Sequence, residues 1–148
     1  MEWDNVLIAG IVATAVMTVA MYIGKSAGMQ LDMPRMLGLM FTEPSSSAVA
    51  VIGLMAHVMM GVVFAAVYSL AFDAFDIDQS WLWGALFGAV HGAVVGMAMG
   101  MMPMMHPRMG DGKELPAPGF FGRNLGGMIP VAIIGLHVLY GGIVGALL

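Results

Sequence analysis

The sequence predicts an all-α fold, a polytopic membrane protein in which four transmembrane helices form one bundle with close, glycine-rich packing. Three observations carry this. Of 148 residues, 60% are hydrophobic and only 9% are charged, against roughly 25% charged in soluble domains. Four stretches, 5–24, 48–72, 81–105 and 126–148, contain no Asp, Glu, Lys or Arg, and each has the roughly 20 residues that a helix needs to cross a hydrocarbon core. Glycine recurs at every fourth position of the third stretch, from Gly84 through Gly88, Gly92 and Gly96 to Gly100, which places all five on one helix face. A single transmembrane domain, 1–148, is expected.

The first stretch is preceded by Glu2 and Asp4 and lacks a basic start, so it reads as a retained span and not as a signal peptide. In the connection 25–47, "LDMPRMLGLMF" sets Met33, Met36, Leu37 and Met40 at helical spacing. With Asp32 as cap and Pro34 in the first turn, this predicts a short helix lying in the interface; an irregular loop is the alternative. "TEPSSS" then breaks the chain, and Ser47 is the expected cap of the second span.

The outer loop "DAFDIDQS" reads as a solvated acidic face, because a calcium loop needs more ligands at fixed positions. Pro103 is expected to end or kink the third helix. Residues 106–125 carry three prolines and four glycines and predict a surface loop, with Asn124 as cap of the fourth span. Its "GDGKE" lacks both the spacing of a phosphate loop and a preceding strand.

Lys25, Arg35, Arg108, Lys113 and Arg123 all fall in the two connections 25–47 and 106–125. By the positive-inside rule those connections are cytoplasmic, which puts both termini outside and the chain in the cell's inner membrane. Trp3, Trp81 and Trp83 lie at the outer span ends, where indole rings favour the interface.

Cysteine is absent, which excludes disulfides, thiolate metal sites and cysteine nucleophiles. No paired carboxylate and no nucleophile beside a base is present, and Tyr22, Tyr68 and Tyr140 read as interface or packing residues, so no enzyme is expected. The expected partners are the lipid bilayer and either further copies of the chain or the other subunits of a membrane complex. Nucleic acid is not expected.

Three histidines interrupt the spans. His57 is about nine residues from the cytoplasmic end of its span, His91 about ten from the outer end and His137 about eleven from the inner end, which at about 1.5 Å per residue puts all three near mid-depth. Ionisable groups there are costly, face the bundle interior and point to function. Four roles fit: neutral histidines that serve packing, axial ligands of a haem or chlorin, direct ligands of copper, zinc or iron, and a path for protons or a small solute. Gly88 and Gly92 flank His91, so a porphyrin lying on the glycine face is one reading, and close helix packing is the other. His91 stands one residue off the glycine stripe, about 100° round the helix.

Eighteen methionines are present. Met101, Met104 and Met105 with His106 offer soft sulfur and one nitrogen at the inner end of the third span, a donor set suited to Cu(I). Flexible apolar filling of irregular space is the other use of methionine. A small transporter and a purely structural subunit stand beside the cofactor-binding or metal-binding reading.

"GIVATAVMTVAMYIGKSAG" (10–28) and "HVMMGVVFAAVY" (57–68) resemble small four-helix integral membrane proteins of families without assigned function. The resemblance covers the first half better than the second. It implies the architecture and adds no activity or site.

Overall fold

A computed structural model describes residues 2–148. Among the described residues the chain is all-helical, with no strand and one isolated bridge between Met109 and Leu115. The helices are α1 (Trp3–Ser26), α2 (Met33–Phe41), α3 (Val49–Phe75), α4 (Trp81–Met99), the one-turn α5 (Met102–Met105) and α6 (Ile129–Leu147). Of these, α1, α3, α4 and α6 are long and apolar enough to cross a membrane. Their outward faces present exposed apolar side chains such as Ile8, Ile23, Val63, Val90 and Val131.

The ends of the helices test the local reading. Asp32 caps α2 by accepting the Arg35 N–H at 3.0 Å, with Pro34 in the first turn. Ser47 does not cap α3: the N-cap position is Ala48, without a side-chain cap, and Ser46 Oγ accepts the Ala48 N–H at 3.1 Å in the turn before the helix. α3 runs three residues past its expected end and stops where Asp76 takes the left-handed region (φ 53°) and the Ile77 N–H returns to the Phe72 carbonyl at 3.1 Å.

The third span is shorter than expected. α4 stops at Met99 and Pro103 sits in the first turn of α5. A proline lacks an N–H, and its ring collides with the carbonyl four residues back, here that of Met99. Asn124 does not cap the fourth span. Its Nδ2 donates to the Ala117 carbonyl at 3.0 Å within the loop, and α6 begins at Ile129 without a side-chain cap. Asn124 itself lies in Phe120–Leu125, a 3-10 segment in which Phe121 adopts φ 55°. That conformation, which costs a bulky residue of order 1–3 kcal/mol, seats the Phe121 ring over Gly96 and the Phe120 ring over Gly100.

Two antiparallel helix pairs make the bundle. In the α4/α6 pair the glycines face each other: a Cβ on Gly84 would collide with the Gly141 carbonyl, one on Gly141 with the Gly84 carbonyl, and one on Gly88 with the His137 carbonyl. Carbonyl oxygens thus rest on glycine Cα atoms, contacts that contribute about 0.5–1 kcal/mol each. In the α1/α3 pair each contact has a glycine on one helix only: Gly10 of α1 receives the Val62 backbone and Gly61 of α3 receives the Thr14 side chain. α6 also packs on α1, and α2 lies across the start of α3, where Gly53 meets the Pro34 carbonyl.

Two buried clusters result. One gathers Met21, Leu39, Met99, Ile129 and Ile133 towards the end that carries the long loops; the other gathers Val6, Ala13, Tyr68, Phe72, Tyr140 and Val144 towards the opposite end. The two basic connections are tied together. His106 bonds the Met36 carbonyl, Arg108 bonds the Leu39 carbonyl at 3.1 Å, and Arg108 pairs with Glu43.

Candidate functional site

Between the two clusters lies a cavity of about 70 Å³ onto which His57, His91 and His137 all open. Each arrives on a different helix, and α1 closes the fourth side with Thr14, Met17 and Met21. The space suits a few waters or a small ligand. It is far too small for a porphyrin.

The hydrogen bonds fix two of the rings. His137 Nδ1 lies 2.7 Å from the Ile133 carbonyl, an acceptor only, so the Nδ1 of this ring carries the proton. Thr18 donates its single hydroxyl proton to the Thr14 carbonyl at 2.7 Å, so towards His57 Nδ1, 3.2 Å away, the threonine oxygen accepts. His57 is therefore also protonated on Nδ1. In both neutral rings the remaining nitrogen, Nε2, keeps its lone pair. Among the described residues neither Nε2 has a hydrogen-bond partner, and no unpaired side-chain nitrogen is sealed from space, so each Nε2 meets open space on a side chain that lines the cavity.

His91 is half buried. Its Nδ1 is 3.3 Å from the Tyr68 hydroxyl, its ring stacks at 4.0 Å on Phe64, and the edge of the His137 ring is 4.7 Å away between centroids. The 100° offset from the glycine stripe is thus what brings His91 to the cavity. The stripe itself points at α6, and the residue beside it points at α3.

Gly88 and Gly92 do not form a groove for a flat ring, because α6 occupies that face. A Cβ on Gly92 would lie 3.0 Å from His137 Cβ. These two glycines set the depth at which His137 stands and have no surface left for a ligand.

The expected inner-end cluster is not brought together. Met101, Met104 and Met105 point outward, 55%, 83% and 75% exposed, while His106 turns inward and is 2% exposed. Both nitrogens of His106 are engaged: Nε2 donates to the Met36 carbonyl at 2.8 Å and Nδ1 accepts the Arg108 N–H at 3.2 Å. The early stop of α4 explains the separation, since these donors then sit on a one-turn helix whose outward side faces away from His106. Among the described residues no group of three or more His, Asp or Glu side chains is placed to hold a metal.

Sequence reasoning did not join several contributors. Met60, near His57, and Met99, in the methionine run, line the cavity together with Met17, Met21 and Met33. Tyr140 donates its hydroxyl to the Gly61 carbonyl and so ties α6 to α3. Its signal was present: Tyr140 follows His137 by three residues and shares its helix face.

Compared with models of protein families, with curated proteins and with solved structures, the chain matches none. The resemblance drawn from residues 10–28 and 57–68 therefore rests on those residues alone, and the cavity is interpreted from its own chemistry.

Proposed function

We propose that the chain is a non-enzymatic integral membrane protein with four spans and both termini outside the cytoplasm. In this reading it serves a membrane assembly as an accessory or binding subunit that holds a small ligand between His57, His91 and His137. The orientation is supported by the five basic residues in the two connections and the tryptophans at the opposite span ends. One observation carries the binding role: two rings that line the same cavity are each fixed through Nδ1 and leave Nε2 without a partner. Histidines that only served packing would use both nitrogens, as His106 does.

The test is native mass spectrometry of protein taken from its own membranes in mild detergent. The expected result is a stoichiometric small ligand that is absent from a His57→Gln, His137→Gln double variant of unchanged helicity. A bare chain in both proteins would overturn the binding role. Because the chain has no cysteine, orientation is tested by single substitutions: Gln79→Cys should react with an impermeant maleimide added to intact cells, and Lys113→Cys should not.

A transport reading draws on a second observation. At the start of α2, Leu31 and Met33 line the cavity while their neighbours Gln30 and Asp32 line a pocket of about 430 Å³ at the basic end. Flux in proteoliposomes that is lost in the double histidine variant would favour this reading over a static binding subunit.

A further inference from the structure

We infer that the cavity is a site for a soft monovalent cation, Cu(I) in chemical class, held by the Nε2 atoms of His57 and His137 with thioether sulfur from Met17, Met60 and Met99. This rests on the reading of the cavity as a ligand site and names the ligand.

Three features of the cavity select that class. The first is donor type. A neutral imidazole nitrogen is a good ligand for late transition metals, and thioether sulfur is a soft donor that favours Cu(I). Of the side chains that line the cavity only those of Thr14 and Tyr140 carry an oxygen, too few for a hard cation, which takes about six or more oxygen ligands. The second is charge. None of the four spans carries a carboxylate within the expected limits, and cysteine is absent, so every ligand is neutral and a bound ion keeps its full charge in an apolar surround. The cost of burying an ion rises with the square of its charge, which sets a divalent ion at a fourfold disadvantage.

The third is ligand number. Structural and catalytic zinc sites take at least three nitrogen, sulfur or carboxylate ligands of fixed geometry, and no such cluster exists among the described residues. Two imidazoles with adaptable thioethers meet the lesser demand of Cu(I). Binding needs no proton release, since each Nε2 already lacks one. The Nδ1–H bonds to Thr18 and to the Ile133 carbonyl are the outer contacts that orient metal-bound histidines elsewhere.

The experiment is a competition for Cu(I) between the full-length protein in detergent and a colourless-to-coloured Cu(I) chelator, repeated with Zn(II) and its own indicator, with native mass spectrometry on the same samples. One Cu(I) per chain is expected, with X-ray absorption showing mixed nitrogen and sulfur neighbours. Affinity should fall at least roughly tenfold in the His57→Gln, His137→Gln variant and in Met60→Leu, Met99→Leu, the second of which keeps volume and apolarity and so retains the fold. The Met101→Leu, Met104→Leu, Met105→Leu variant should bind as the parent does. Zn(II) bound as tightly as Cu(I), or Cu(I) affinity unchanged in the Met60→Leu, Met99→Leu variant, would overturn the inference. A different small ligand retained in a histidine-dependent way, without Cu(I), would overturn it while leaving the binding role intact; no ligand of any kind would remove both.

Discussion

Two places in this molecule combine histidine with methionine, and they differ in which way the side chains face. At the basic end, His106 is buried with both nitrogens engaged while Met104 and Met105 lie outside. In the cavity, His57 and His137 each spend one nitrogen on orientation and keep the other open, with methionines on the same walls. The composition is alike and the chemistry is opposite. A histidine is a latch when its partners are two backbone groups, and it is available to a ligand when its second nitrogen meets space.

The comparison breaks most visibly where backbones touch. Gly88→Leu should cost about 3 kcal/mol or more, because the new side chain meets the His137 carbonyl on a helix that cannot yield. Loss of helical assembly in a detergent unfolding titration, together with loss of ligand, checks it. Full retention of both would mean that the α4/α6 contact does not set the position of His137.

His106→Ala separates latch from ligand. The Met36 carbonyl and the Arg108 N–H lose their partner, so stability should fall by about 1–3 kcal/mol while the ligand affinity of the cavity stays as it was. Unfolding and binding measured on one preparation decide it. A fall in affinity without a fall in stability would make the basic end part of the site.

Thr18→Val sharpens the other side. It leaves His57 Nδ1–H without its acceptor, and ligand affinity should fall by about tenfold. Thr18→Ser should restore affinity, which a general packing defect would not allow. The smallest effect belongs to Met104→Leu with Met105→Leu: both residues are exposed, and stability should change by less than about 0.5 kcal/mol.

Local features were legible. The Asp32 cap with Pro34 behind it and the break at Pro103 follow from single-residue geometry, and the structure has both. The four long helices follow from apolar length. That neither Ser47 nor Asn124 caps its span was not legible, because α3 and α6 begin at Val49 and Ile129, past the polar residues that precede them, and both start without a side-chain cap. The site was half legible. Depth along each helix placed three histidines at one level, but the five methionines of the cavity come from four helices and share no sequence pattern.

The sequence by itself determined the all-helical class, the number of long apolar helices, the basic end and the level of the histidines, since these depend on composition and on spacing within one helix. Tertiary structure decided which nitrogens are free. The partner of His57 is Thr18, 39 residues away, and the hydroxyl of Tyr140 reaches Gly61, 79 residues away. A hydrogen bond extends over about 3 Å, so His57 takes its acceptor from whichever helix packs beside it, whereas His137 takes the Ile133 carbonyl of its own helix.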